Sequence, residues 1–187
     1  MSKRVFIVLF VVAGLVSGIV SFAEAQKTMN AFLRIDGIAG ESTDARHRGE
    51  IEIESFGWSA SQVGMAGSTG GGGRATGKTN MGGFQFSAFT SQASPKLFQM
   101  CAAGQFIKNV ILTVRNRAGL ETMTWRLMDV TVREYKIVGD TNRDARTRDE
   151  FSLEFSKIEF EYRPVLPNGT LGPAVKERWD VQANRPF

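Results

Sequence analysis

The chain has 187 residues, of which 42% are hydrophobic and 22% charged, and 23 basic against 19 acidic residues give a formal net charge of +4. This length suits one domain with a real hydrophobic core, and basic residues interspersed with acids argue against a nucleic-acid-binding patch. A single cysteine excludes an intramolecular disulfide and a single histidine argues against a zinc site with several ligands, so we expect no metal and no other cofactor.

The first 25 residues have the pattern of a secretory signal peptide. A short basic start precedes an uncharged apolar run over 5–22, and Ala23-Glu24-Ala25 places small residues at the cleavage positions. The alternative is an uncleaved membrane anchor, because the apolar run has 18 residues. We expect cleavage, a single mature domain over 26–187, and a secreted or periplasmic protein that is not inserted in a membrane.

Two strands are expected at the start of the mature domain. Asn30–Ile35 is a short apolar strand, and Glu50–Trp58 alternates, with Ile51 and Ile53 facing one way. The opposite, solvated face of the second strand is formed by Glu50, Glu52 and Glu54. The charged loop between the two strands carries His47 and is expected to be solvated.

The segment Ser59–Gly83 is rich in glycine and is the least core-like part of the chain. Such a segment cannot bury enough apolar surface to order itself, so a partner outside the domain, such as a neighbouring subunit, is expected to order it. Residues Gly72–Thr79 match the phosphate-binding string G-x-x-x-x-G-K-[ST]. No apolar strand leads into the string and no helix follows it, so we interpret the match as chance.

One helix is expected, following a strand in which Phe84, Phe86 and Ala88 share a face. Ser94 suits its N-cap, with Pro95 in the first turn and Gly104 at the exit. The predicted apolar stripe consists of Leu97, Phe98, Cys101 and Ala102. Cys101 is therefore expected to be a small buried hydrophobe and not a nucleophile.

The second half of the chain continues the strand pattern. After a strand with Val110, Leu112 and Val114 on one face and a turn at residues 117–119, Leu120–Val138 is expected to form two strands or one bent strand. Gly139–Asp149 is expected to be an exposed charged loop. Val175–Trp179 is expected to form a last edge strand. The composition of these elements predicts an all-β sandwich or barrel with one short α-helix.

A change of parity divides the expected strand over residues 151–162. Its first half places odd-numbered apolar residues on one face, whereas Ile158, Phe160 and Tyr162 have the opposite parity. One extra residue flips every later side chain to the other face. The pattern predicts a β-bulge near Ser156-Lys157, or a strand that is buried on both faces.

No set of residues requires catalysis. There is no G-x-S-x-G nucleophile motif, and His47 lies between Arg46 and Arg48 without an evident nucleophile. We therefore expect no enzymatic activity. The weaker alternative is an enzyme, either a nucleotide hydrolase through Lys78 or a glycosidase through the glutamates Glu50 and Glu52.

Six landmarks, in order, resemble one known family. They are Gly40-Glu41-Ser42 after the first strand, Glu50-Ile51 leading to Trp58, the glycine-rich loop ending at Gly77-Lys78, the helix from Ser94 to Gly104, the strand Glu150–Tyr162, and Trp179 with Asn184. The chain from Met29 to Asn184 is similar to the haemolysin co-regulated proteins (Hcp), the tube subunits of type VI secretion systems. The resemblance implies a β-barrel of two antiparallel sheets flanked by a helix.

The resemblance also implies a function and partners. Hcp subunits form six-membered rings that stack into a tube, which a contractile sheath expels with its spike, and effectors are held in the lumen. The implied ring and tube interface residues here are Gly70, Gly71, Gly72, Gly73, Lys78 and Trp179. The implied lumen residues are Phe56, Gly57 and Trp58.

The signal-like N-terminus departs from the family pattern, because such tubes assemble in the cytoplasm. If Met29 is the true start, cytoplasmic assembly is restored. The rival hypothesis is an exported β-sandwich binding module that acts as a monomer or a single ring in the bacterial envelope.

Overall fold

A computed structural model describes residues 29–62, 79–139 and 146–187 of the chain. These residues form nine strands and one helix. The bounds are β1 (Met29–Ile35), β2 (Ile51–Gly57), β3 (Ala60–Gln62), β4 (Thr79–Met81), β5 (Phe84–Phe89), α1 (Ser94–Ala103), β6 (Phe106–Asn116), β7 (Glu121–Val138), β8 (Arg148–Tyr162) and β9 (Val175–Asp180). The expected signal peptide lies outside the described residues.

Six strands close into an antiparallel barrel. The order is β5-β2-β1-β6-β7-β8, and the first half of β8 returns to pair with β5. The second half of β8 extends past this closure and pairs with β9, while β3 and β4 form a separate two-stranded sheet. The predicted fold, two antiparallel sheets with one helix, is confirmed.

Alternation within the strands fills the barrel. On β2, β5 and β6, every residue that the period-two pattern predicted to face inward is buried in the core. These residues are Ile51, Ile53, Phe84, Phe86, Ala88, Val110, Leu112 and Val114. Phe84 is at the centre, fully buried, with its ring 5.7 Å from that of Trp58 and 5.9 Å from that of Trp125. Aromatic rings at these separations contribute beyond their buried area.

The long segment after the turn at Gly119 is one strand, β7, of 18 residues. Its pairing with β8 shifts register between Val132 and Glu134, which marks an irregularity of the bulge type on β7. This decides between the two predictions for the segment in favour of one bent strand.

The predicted bulge in β8 near Ser156-Lys157 is wrong. The pairs Met128↔Lys157 and Val130↔Phe155 have the same register, so neither strand has an extra residue relative to the other at this point. The inward-facing side chains change from odd to even numbers, or the reverse, on both strands at once. Asp129 of β7 has a φ of 53° at this point. The alternative prediction, burial on both faces, holds for parts of β8, because Phe151, Ser152 and Leu153 are all buried, as are Ile158 and Glu159.

The helix begins one residue earlier than predicted. Ala93 is the N-cap and Ser94 the first helical residue, without a side-chain cap, while Gly104 ends the helix with a φ of 60° as expected. The predicted apolar stripe is half wrong. Leu97 is buried and Cys101 is half-buried against the core, but Phe98 and Ala102 are exposed, and the other buried helical side chains are Met100 and Ser94.

Ser94 serves a different purpose, because its hydroxyl links the start of the helix to a buried carboxylate. The Ser94 hydroxyl accepts from the Ser91 N–H at 2.9 Å and donates to Asp149, which also accepts from the Thr90 hydroxyl at 2.9 Å. Asp149 is 2% exposed, so its predicted place in an exposed loop is wrong. Burial first, and then the charge of Asp149, raise the pKa of the nearby Tyr135.

Candidate functional site

Outward-facing side chains of four barrel strands form a cleft of about 310 Å³, which we call the polar wall. Register aligns them, since Ser55 pairs with Ser87, Ser87 with Glu150, and Glu150 with Lys136. The side chains and backbone positions of the polar wall are Ser55 and Gly57 on β2, Gln85 and Ser87 on β5, Glu134 and Lys136 on β7, and Glu150 on β8.

The chemistry of the polar wall is that of a hydrogen-bonding surface. The Lys136 ammonium lies 3.3 Å from the Glu150 carboxylate, and both are about half exposed. An exposed pair of this kind contributes little to stability, and its groups remain available to a partner. The polar wall therefore suits contact with a polar macromolecular surface.

The three implied lumen residues are not equivalent. Gly57 lies on the polar wall, and the position of a Cβ there has no atom within 4 Å. Phe56 also lines the cleft and packs against the core, with its ring 5.7 Å from that of Trp125. Trp58 stacks on Phe84 and does not line the cleft. The structure thus places two of the three implied lumen residues at the cleft.

Most of the implied interface residues lie outside the described part of the chain, namely Gly70, Gly71, Gly72, Gly73 and Lys78. The segment that contains them leaves β3 at Gln62 and enters β4 at Thr79. Thr79, the last residue of the phosphate-binding string, begins a strand and not a helix. Helix N-terminal amides for a phosphate are therefore not supplied by the residues that follow Lys78.

Trp179, the remaining implied interface residue, lies on β9 opposite Ile158. Its side chain is half-buried and packs against the core of its own chain. The expected edge strand is confirmed, because β9 pairs with β8 alone. Asn184 follows with a φ of 52°, and its side-chain oxygen accepts from the Thr79 N–H at 3.3 Å.

The prediction that His47 is solvated is wrong. His47 is 6% exposed and stacks on Phe32, with ring centroids 4.3 Å apart. Its Nδ1 lies 2.9 Å from a Glu50 carboxylate oxygen, and its Nε2 lies 3.6 Å from Glu121. The loop before β2 thus folds over the outer face of β1 and covers an apolar ring that points away from the barrel interior.

The contact with His47 also shows that the predicted solvation of Glu50 is wrong. The Glu50 side chain is only 14% exposed because it binds His47. Glu52 and Glu54 are exposed as predicted, and Glu54 pairs with Arg148 at 2.8 Å. The three therefore do not form one shared carboxylate site.

Asp44 fixes the covering loop to β6. The Arg115 guanidinium binds both carboxylate oxygens of Asp44, at 2.5 and 3.2 Å, and lies 4.6 Å from the centroid of the Phe32 ring. Hydrogen bonding to Arg115 first, and then the backbone N–H of Arg46, lower the pKa of Asp44 to about 2. A planar bidentate pair is the strongest form of such a contact.

We expect Asp44→Asn to lower the free energy of unfolding at pH 7 and to have progressively less effect in acid. The native pKa of about 2 is below the ordinary aspartate value of 3.8, so the stabilisation is present above pH 4 and is lost as the pH falls toward 2. Urea unfolding of both proteins at several pH values measures this. In the Arg115→Gln background the Asp44→Asn effect should nearly disappear, and an undiminished effect would contradict the assignment.

A charged ladder on the outer face of β7, β8 and β9 was also missed by sequence reasoning. Glu159 is buried beneath three cations, Arg126 at 3.4 Å, Lys176 at 3.1 Å and Arg178 at 2.8 Å. Hydrogen bonding to Arg163 and then to Lys176 lowers the pKa of the neighbouring Glu161. The alternation of acids and bases in the sequence shows which strand faces are polar, but only the register shows which charges pair.

Two features are absent from the described part of the chain, a cluster of metal ligands and a helix that could cross a membrane. No group of three or more His, Cys, Asp or Glu side chains among those residues is arranged to hold a metal ion. Within residues 29–62, 79–139 and 146–187, no helix has the length and hydropathy that crossing a bilayer requires.

Comparisons with known proteins give one consistent result. A family model described as type VI secretion system effector, Hcp, matches residues 32–162. Protein hcp1 of Pseudomonas aeruginosa is 29% identical over an alignment of 160 residues that covers 83% of this chain and 97% of that protein. The crystal structure of Hcp1 from Salmonella typhimurium is similar with a TM-score of 0.72 and 31% identity, covering 86% of this chain and all of that one. A structure of a type six secretion system protein gives a TM-score of 0.79 at 25% identity, covering 85% and 99%.

Proposed function

This chain belongs to the Hcp family of type VI secretion system proteins, and we propose that its copies assemble into six-membered rings that stack into a secretion tube. The observation that carries the proposal is the extent of the family match. The match runs from Phe32 in the first barrel strand to Tyr162 at the end of β8, so it includes every barrel strand. A closed barrel leaves few free strand edges and suits a rigid repeating subunit.

The polar wall is our candidate for the lumen surface, where effectors would be held. Its support is chemical, because hydroxyl, amide and charged side chains present hydrogen-bonding groups without a large apolar patch. Such a surface can bind a folded cargo weakly and release it, because replacing hydrogen bonds to water with hydrogen bonds to the cargo changes the free energy little. Gly57 and Phe56 line this cleft, whereas Trp58 packs against the core behind it.

Sheath and spike proteins are the further partners of the proposed tube. They follow from its place in a type VI secretion system. Residues 1–25 support export of this copy by a signal peptide, whereas a start at Met29 supports assembly in the cytoplasm. The signal-like segment also favours the second candidate function, an exported binding module that acts as a monomer or single ring.

The molar mass of the protein that starts at Gln26, measured by light scattering over a wide range of concentration, tests the ring. We expect six times the monomer mass, with stacked rings visible by electron microscopy. A monomer at every concentration would exclude the tube and favour the exported module. N-terminal sequencing of the protein recovered from the producing cells decides between cleavage before Gln26 and a start at Met29.

A further inference from the structure

Two apolar patches are exposed at opposite ends of the β7–β8 ribbon. The first, the helix patch, consists of Phe98, Tyr135 and Ile137. Phe98 is 61% and Ile137 55% exposed, and the Phe98 ring lies 6.4 Å from that of Tyr135. Tyr135 and Ile137 are two residues apart on one strand and therefore share a face.

The second, the ribbon patch, consists of Tyr162, Val165, Leu166 and Val175. Tyr162 and Val175 are direct cross-strand partners at the free end of β8 and β9, 44% and 62% exposed. Val165 and Leu166 follow in the next loop, 45% and 38% exposed, where Val165 bridges Leu171. The ribbon patch thus consists of four exposed apolar side chains where the ribbon extends past the barrel.

The two patches cannot meet within one copy. Ile137 pairs with Asp149, whereas Met123, 14 residues earlier on β7, pairs with Tyr162. At roughly 3.3 Å per residue the patches are about 45 Å apart along the ribbon. Only another molecule can bring them together.

We propose that the helix patch of one copy packs on the ribbon patch of the next, head to tail, in the assembled protein. A two-fold contact would use one patch twice, whereas a repeating head-to-tail contact needs two different patches on every copy. The described residues form two such patches, and a chain of identical copies covers both at once. This inference rests on the proposed ring and tube, and it assigns the residues through which copies meet.

The size of the patches agrees with a second copy as the occupant. An aromatic side chain buries roughly 150–250 Å² when fully covered, so each patch offers on the order of 300 Å². A stable interface buries about 800 Å² on each partner, with an apolar centre and a polar rim. Each patch is therefore large enough to be the centre of such an interface and too small to be all of it.

Cysteine cross-linking tests the contact directly. In a Cys101→Ser background, the double variant Phe98→Cys/Val175→Cys is expected to form a ladder of covalent oligomers on mild oxidation. Each single variant should remain monomeric on a non-reducing gel, because neither position lies next to the same position of a neighbouring copy. Since a disulfide needs Cα atoms about 4.4–6.8 Å apart, Ile137→Cys/Val165→Cys provides a second pair. Phe106→Cys/Val175→Cys is the control, because Phe106 is 77% exposed but lies outside the helix patch.

A ladder that ends at six copies or continues beyond six supports the inference, since both come from head-to-tail contact. Dimers from a single variant, or no ladder from either pair while light scattering shows six-membered rings, would overturn it and leave the proposed function standing. If the parent protein is monomeric, the proposed function and this inference both fail.

As a second measurement, Phe98→Glu or Val175→Glu should raise the concentration needed for assembly by about tenfold or more, while Phe106→Glu should not.

Discussion

Replacement of Phe84 by alanine is expected to lower the free energy of unfolding by about 4 kcal/mol. Phe84 is fully buried, and its ring lies 5.5 Å from that of Phe86 and 6.2 Å from that of Phe155, besides its contacts with two tryptophans. Truncation removes the transfer free energy of a whole aromatic ring and leaves a cavity between β5, β7, β8 and Trp58. Urea unfolding at fixed protein concentration measures the loss, because ring formation makes stability depend on concentration.

The matched control is Phe106→Ala, which removes the same ring from a position that is 77% exposed. We expect it to change the free energy of unfolding by less than about 0.5 kcal/mol. A loss below about 1 kcal/mol for Phe84→Ala, or similar losses for the two variants, would contradict the aromatic core described above.

Asp149→Ala is expected to destabilise the protein by about 3 kcal/mol and to loosen the start of α1. The substitution leaves the hydroxyls of Thr90 and Ser94 without their common acceptor in a buried position. Hydrogen bonds to a charged group are among the strongest in proteins, and a buried donor left unpaired adds its own desolvation cost. Urea unfolding gives the loss of stability, and hydrogen exchange of the amides of Ser94, Lys96 and Leu97 shows whether the start of the helix loosens.

Glu150→Ala is the control for Asp149→Ala, because it removes a carboxylate from the adjacent position. The Glu150 side chain is 49% exposed and its pair with Lys136 is at 3.3 Å, so the expected loss is below about 1 kcal/mol. Equal losses for the two variants, or unchanged exchange at the start of the helix in Asp149→Ala, would show that the buried carboxylate does not hold α1.

Some features of the fold could be predicted because they depend on neighbouring residues alone. Alternation on β2, β5 and β6 indicated which side chains enter the barrel, and Gly104 and Gly119 were recognised as the exit of the helix and a turn. These features are local, since the pleat and the left-handed conformation of glycine are set by one or two residues. The family resemblance also rested on local landmarks.

The errors share one cause, the packing of segments that are distant in sequence. Polar neighbours suggested that His47 and Asp149 are solvated, but the first covers Phe32 and the second holds the start of α1. One signal was present for His47, because Phe32 lies between the inward-facing Ala31 and Leu33 and so needs cover on the outer face. No local signal showed that Asp149 is buried.

The sequence by itself determined the strand pattern, the single helix and the family, because side-chain alternation, capping residues and ordered landmarks are properties of the chain. The tertiary structure alone decided which outward faces are covered and which remain free. It buried His47, packed Phe56 and Trp58 against the core, and left Phe98 and Val175 exposed at opposite ends of one ribbon. The reason is physical, since register and barrel closure bring together residues that are tens of positions apart, and only those pairings fix which groups lose their contact with water.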